Sequence, residues 1–282
     1  MYETVRQGIG NGEVEISRME GFVHKADKSK IPTCEIMGVN IAAVNMEWLL
    51  RFTRKNIRQL SGDYMCVSNV HTVITASEDQ IYRNIQNSGI MAIPDGGPLS
   101  SVGRKRGYRE MGRIPGPSYM EEIFKISGKM GYRHFFYGST EETLAKLKQG
   151  LERDYPGIKV AGMYSPPFRP MTKEENARII EKINDAKVDF VWVGLGAPKQ
   201  ERWMADHQGK VKGFMVGVGA GFDYFAGNIK RAPEWMQRNN MEWFYRLMQE
   251  PGRLFGRYWR TNTKFLWDIY VKNFFLEKRG DL

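Results

Sequence analysis

Residues 189–221 read DFVWVGLGAPKQERWMADHQGKVKGFMVGVGAG. Within this stretch, residues 189–193 and 213–218 are apolar runs rich in β-branched and aromatic side chains, the composition of buried strands. Each run closes on a glycine turn, Gly194-Leu195-Gly196 and Gly219-Ala220-Gly221. Between them, residues 198–207 carry a helical pattern that opens on Pro198, a position where the missing N–H costs nothing. Strand, glycine turn, helix, strand is the repeating unit of an α/β sheet, whose ligands collect at the carboxyl ends of the strands.

The same rhythm runs upstream. Strands are expected at residues 36–41, 63–69, 90–93, 134–137 and 159–163. Helices are expected at 46–57 after the capping residue Asn45, through most of 70–87, and at 119–129, 141–154 and 173–185. Near Asn228 the rhythm stops and a tail rich in Trp and Arg begins. The expected fold is therefore α/β: a Rossmann-like, mostly parallel sheet flanked by helices, with a helical basic-aromatic C-terminal appendage. Residues 1–34 read as a polar N-terminal extension, 35–228 as the α/β domain and 229–282 as the appendage.

Lysine and arginine total 42 against 32 acidic residues, a formal net charge of +10. That balance favours a phosphate-rich partner: nucleic acid, nucleotide or anionic lipid. Cys34 and Cys66 lack metal-ligand spacing, and His24, His71, His134 and His207 are scattered, so neither a disulfide framework nor a metal site is expected. No secretory h-region and no run of about 18 apolar residues occurs, which points to the cytoplasm with at most peripheral membrane contact. In the tail, Arg253, Arg257, Arg260 and Lys264 share one sector of a helical wheel, opposite Phe255, Tyr258, Trp259, Phe265, Leu266 and Ile269. This pattern fits either the interface of an anionic membrane or a core-facing helix with a solvated basic face.

Three blocks carry chemistry. In Ala92-Ile93-Pro94-Asp95-Gly96 an acid sits rigidly at a strand-to-loop edge, which suits either a general base for a sugar hydroxyl or an ordinary turn aspartate. In Gly194-Leu195-Gly196-Ala197-Pro198-Lys199-Gln200-Glu201 a helix start can cradle a phosphate within reach of Lys199 and Gln200, or can serve simply as a tight connection. The third block runs from Gly217 through Asp223 to Lys230-Arg231-Ala232-Pro233, where small residues admit a ligand and the two cations can meet a diphosphate. His71 reads more readily as a packing residue than as a catalyst.

On these blocks the chain resembles the WecG/TagA/CpsF glycosyltransferases of bacterial polysaccharide and teichoic acid assembly. The matching residues are Ser68-Asn69-Val70-His71, Pro94-Asp95-Gly96, Gly194 through Glu201, and Phe222-Asp223 through Arg231-Ala232-Pro233. In the tail they are Glu242-Trp243, Tyr245-Arg246-Leu247, Glu250-Pro251 and Arg253-Leu254. The resemblance implies transfer of N-acetylmannosamine, or a related hexose or uronic acid, from a UDP-sugar to an undecaprenyl-pyrophosphate-linked sugar at the cytoplasmic membrane face. It further implies inversion, no bound metal or cofactor, Asp95 as the base, and Arg113, Gln200 and Asp223 at the substrates. Two positions depart from the family pattern. Val67 stands where a threonine is common, which leaves Ser68, Asn69 or Thr72 to supply polar contacts, and Ser118 stands where an acid is common.

No Asp-x-Asp pair occurs in the chain, so arginines are expected to neutralise a departing diphosphate, with Arg231, Arg246 and Arg253 or Arg257 as candidates. Two other classes share some of these features. A nucleic-acid-binding protein would account for the charge, but no recognisable reading module is present, so nucleic acid is not expected as a partner. A nicotinamide-dependent oxidoreductase would need a full Gly-x-Gly-x-x-Gly with an acid about 20 residues on, which the chain lacks. The expected partners are thus a UDP-sugar, a lipid-linked sugar and an anionic membrane surface, with a homo-oligomer left open.

Overall fold

The computed structural model describes residues 22–239 and 241–272. Among these residues one sheet of eight strands forms, in the order β1-β2-β4-β3-β8-β7-β5-β6. The expected α/β sheet is therefore present, and it is parallel except where β1 meets β2.

The first element corrects the sequence reading. Residues 36–41 are not one strand but the turn of a hairpin between β1 (Thr33–Ile36) and β2 (Val39–Ala42). Met37 and Gly38 take φ values of 52° and 83°, the left-handed pair that a two-residue hairpin turn requires. Asn87 holds that turn, donating from Nδ2 to Gly38 O at 2.8 Å and accepting from Asn40 N at 2.9 Å.

Helix α1 (Met46–Asn56) follows its Asn45 cap, and β3 (Tyr64–Ser68) is buried throughout. The helix expected over 70–87 is divided into α2 (Val70–Glu78) and α3 (Gln80–Ser88). Asp79 breaks it by leaving helical geometry and accepting from Tyr82 N at 3.0 Å as the cap of α3. After β4 (Met91–Pro94) comes α4 (Gly97–Lys105), a helix the sequence reading did not assign. The remaining core elements are α5 (Gly116–Met130), β5 (Arg133–Gly138), α6 (Glu141–Asp154), β6 (Lys159–Tyr164), α7 (Lys173–Asp185), β7 (Phe190–Gly194), α8 (Lys199–Asp206) and β8 (Phe214–Gly217). The described residues close with four helices, α9 (Gly221–Phe225), α10 (Glu234–Arg238), α11 (Glu242–Gln249) and α12 (Pro251–Leu266), and a π turn, Trp267–Lys272.

Strand parity divides the core between two faces. Tyr64, Cys66, Val191, Val193 and Met215 serve one face, while Met65, Val67, Phe190, Trp192, Phe214 and Val216 serve the other. On the second face Trp192 Nε1 donates to His134 Nδ1 at 3.1 Å, and His134 Nε2 pairs with Ser127 Oγ at 2.8 Å. Burial pushes the His134 pKa down to about 3, so its ring is a neutral packing element. Within the expected N-terminal extension, Ala26 and Ile31 are buried against the sheet, and Lys28 Nζ donates to Asn87 O and Gly89 O at 2.6 Å.

The appendage packs differently from the wheel projection. Thr261, Phe265 and Ile269 are buried as α12 lies along α2, so Phe265 and Ile269 do not belong to an outer aromatic face. Lys264 pairs with Glu78 at 2.6 Å and Arg260 approaches it at 3.8 Å, so these two cations border the seam with the domain. Phe255, Trp259, Leu266 and Trp267 face outward. The side chains of Arg253 and Arg257 lie outside the described residues.

At the carboxyl edge, two glycines let β5 and β7 end in close contact. Gly138 has φ 123°, and a Cβ there would lie 2.5 Å from Gly194 O. Gly138→Ala should lower unfolding free energy by about 2 kcal/mol, read as a lower urea midpoint with unchanged slope.

Candidate active site

The chain leaves β3 toward β4 on one side, while β8, its other neighbour, is reached from β7. The carboxyl ends of β3 and β8 thus mark the switch point of the sheet, where an α/β fold opens a crevice. A cleft of about 720 Å³ lies there, a size that suits a substantial organic ligand. Asn69, Asp95 and Gly96 line it from the β3 and β4 ends, Gly196 and Gly219 from the β7 and β8 ends, and Trp243, Arg246, Tyr258 and Phe265 from α11 and α12.

Asp95 continues the β4 edge, its N–H donating to Ser68 O at 2.8 Å. Its carboxyl is half-buried in the cleft. Burial raises its pKa above the usual carboxylate value, opposed first by Arg113. The Glu242 charge pushes the pKa further up, while a hydrogen bond from Asn69 and the charge of Arg246 pull it down. The result is a carboxyl with increased proton affinity that opens onto the cleft.

Asn69 and Thr72 form a reciprocal cap on α2: Asn69 Oδ1 accepts from Thr72 N at 3.3 Å, and Thr72 Oγ1 accepts from Asn69 N at 2.9 Å. Both line the cleft. Ser68 does not; it is fully buried and donates to Gln86 Oε1 at 2.7 Å.

Gln200 is buried on the first turn of α8, where its carboxamide bridges the two glycine turns. Oε1 accepts from Gly219 N at 2.9 Å and from Gly196 N at 3.2 Å, while Nε2 donates to Glu201 Oε1 at 2.8 Å. It lines the cleft but its main work is to bind one loop to the other.

Arg113 is likewise committed to protein. Its Nε donates to Asp95 O at 2.9 Å, one terminal nitrogen to Gln237 O at 3.3 Å, and the other to the Glu242 carboxylate. Asp223 borders the cleft rather than lining it, and accepts from Asn228 Nδ2 at 3.1 Å. Arg231, expected at a diphosphate, is turned away. Its guanidinium pairs with Glu121 at 2.5 Å and with the Ser118 hydroxyl. Glu121 stands about one helical turn after Ser118, so the two hold the same guanidinium from one face of α5.

Arg246, also expected at a diphosphate, faces the cleft. It lines the cleft with its guanidinium 5.8 Å from the Tyr224 ring centroid, and its buried Nε has no hydrogen-bond partner among the described residues. The side chain of Arg253 is not among those described. Glu242 entered the sequence reading only as part of a family match and Tyr258 only as part of an aromatic face, while Tyr224 was not singled out; all three line the cleft. An acid opening a helix, as Glu242 does, reads as ordinary dipole matching, and the two tyrosines sit among many aromatics.

The profile described as the glycosyl transferase WecG/TagA/CpsF family matches residues 34–279. The chain is 32% identical over 198 residues, 70% of its own length and 75% of the relative's, to the N-acetylglucosaminyldiphosphoundecaprenol N-acetyl-beta-D-mannosaminyltransferase of Bacillus subtilis (strain 168). The protein of the same name from Bacillus spizizenii is 30% identical over 69% of this chain and 74% of that one. A Staphylococcus aureus (strain MW2) protein, again so named, is 26% identical over 81% of this chain and 89% of its own length.

The Gln200 bridge has a direct physical test. Gln200→Ala strips an acceptor from two backbone donors and should destabilise the fold by roughly 2–3 kcal/mol. Hydrogen exchange at Gly196 and Gly219 should accelerate in this variant well beyond that of the central strands.

Proposed function

We propose that this chain, which belongs to the glycosyl transferase WecG/TagA/CpsF family, moves an N-acetylmannosaminyl group or related hexose from a UDP-sugar to an undecaprenyl-pyrophosphate-linked sugar. That the protein is a hexosyl-transferring glycosyltransferase rests on its family and its named relatives. The donor, acceptor and mechanism are our reading. The observation that carries it is the pairing of one carboxyl of raised proton affinity, Asp95, with one buried guanidinium nitrogen awaiting an acceptor, Arg246 Nε, across the same cleft.

Asp95 takes the proton of the acceptor hydroxyl as that oxygen bonds to the anomeric carbon of the donor. The bond from the anomeric carbon to the diphosphate breaks, and UDP departs with the electron pair. A single displacement of this kind inverts the anomeric centre. Arg246 neutralises charge on the leaving diphosphate, a task for which a guanidinium is geometrically suited. The lack of any Asp-x-Asp pair in the sequence supports a metal-independent transfer. As only the ionised base works, kcat/KM should rise with pH through the Asp95 pKa, which lies above the ordinary aspartate value.

Access to a lipid-linked acceptor follows from the appendage. Among the described residues no helix is long and apolar enough to cross a membrane. Yet Trp235, Trp243, Phe244, Met248, Phe255, Trp259, Leu266 and Trp267 are exposed on the segment that roofs the cleft. Aromatics and cations on one amphipathic segment are suited to the surface of an anionic bilayer.

Asp95→Asn should reduce transfer by about 10²–10⁴-fold while leaving thermal unfolding and UDP affinity near wild type; turnover close to wild type would remove Asp95 as the base. The double variant Trp259→Glu, Trp267→Glu should weaken binding to anionic vesicles by roughly tenfold or more, in a sedimentation assay, without changing UDP affinity. A panel of UDP-sugars with a short-chain lipid-pyrophosphate-sugar acceptor, read by product mass, identifies the donor.

A further inference from the structure

Glu242 is the side chain through which the appendage reaches the loop that carries Asp95, by way of Arg113. Glu242 opens α11 and is only 7% exposed, yet it lines the cleft. Its carboxylate meets one terminal nitrogen of Arg113, whose Nε holds Asp95 O at 2.9 Å and whose remaining nitrogen holds Gln237 O of α10 at 3.3 Å. One guanidinium therefore binds the backbone of the base residue and two points of the appendage at once.

We propose that Glu242 is a positioning residue that makes Asp95 a competent base only while the appendage is docked. The proposal rests on the reading of Asp95 as base. When α11 is seated, the Glu242 carboxylate occupies the Arg113 guanidinium and places a second negative charge near Asp95. When α11 lifts, the Arg113 charge is left facing the Asp95 loop alone and water enters. Both changes favour the ionised, weakly basic carboxylate.

Arg113 acts on Asp95 from the loop before α5, Glu242 and Arg246 from α11, Asn69 from the start of α2 and Tyr224 from α9, while His71 lines the same cleft. Of the charges carried by the appendage, Glu242 acts on Asp95 more strongly than Arg246, so docking has a net effect toward higher proton affinity. Lys264 and Glu78, 2.6 Å apart, tie α12 to α2 well away from the reacting carboxyl, so docking can be weakened without touching the base.

The test is the pH dependence of kcat/KM for the full-length enzyme. Glu242→Gln should move the acid limb down by roughly one pH unit and lower the plateau, because a weaker base titrates earlier and accepts a proton less readily. Glu242→Asp, which keeps the charge, should leave the limb near its wild-type position. Glu78→Lys should shift it in the same direction as Glu242→Gln. A plateau that falls in Glu242→Gln with the limb unmoved would show a merely structural role and overturn the proposal. If Asp95→Asn itself retains turnover, the reading of the base fails first, and the proposal falls with it.

Discussion

Strand β3 is paired in parallel on both sides, Cys66 standing opposite Ala92 of β4 and Gly217 of β8. Every other feature of the site depends on that arrangement. Because the chain departs from β3 in one direction and returns to β8 from the other, the carboxyl edge between them is a switch point of the sheet. Four strand ends are left open to a ligand there, and the residues that follow them, Asn69, Asp95, Gly196 and Gly219, are brought into one cleft from positions 150 residues apart at the extremes. Parallel pairing also buries both faces of β3, which fixes its register: a slip by one residue would exchange Tyr64 and Cys66 for Met65 and Val67 across the sheet.

An open edge still needs its loops held in place, and buried polar contacts do that. Gln200 Oε1 satisfies the N–H of both Gly196 and Gly219, glycines whose φ values of 77° and 54° direct those donors inward. Its amide rests on Glu201, a fully buried carboxyl whose pKa burial raises, with hydrogen bonds from Gln200 and Tyr82 opposing the rise. Tyr82 accepts from Gln86, and Gln86 accepts from Ser68 at the end of β3. Gln200 thus ties the ends of β7 and β8 together beneath the cleft, and Gln86 and Tyr82 anchor the end of β3.

Much of this was legible in the sequence, for identifiable reasons. The strand–glycine–helix rhythm fixes the α/β class because parity and turn chemistry are local. Asp95 stood out because a proline and a glycine confine it at a strand end. Pairings between distant residues were not legible. Nothing local indicates that Arg231 is claimed by Glu121, 110 residues away, or that the Ser68 hydroxyl turns toward Gln86 instead of the cleft. The bridge that Gln200 makes between the two turns was not legible, because the N–H groups it serves converge only once those turns are side by side. The break at Asp79 was hidden for a similar reason. A capping aspartate carries no signal as strong as proline or glycine, and its side chain also holds Arg202, at 2.6 Å.

The appendage poses an energetic problem that the fold resolves by separating strength from direction. The pairs from Lys264 and Arg260 to Glu78 are solvent-exposed, with side-chain exposures between 39% and 69%, and such pairs contribute at most about 1 kcal/mol each. They cannot hold two helices against the domain. Burying the apolar side chains of Phe265 and Ile269 is worth about 1.5–3 kcal/mol apiece, so apolar contact supplies the adhesion and the ion pairs set its register. The roof of the cleft is therefore held chiefly by the few apolar side chains that α12 and the π turn bury, and the charges on its border decide which faces meet.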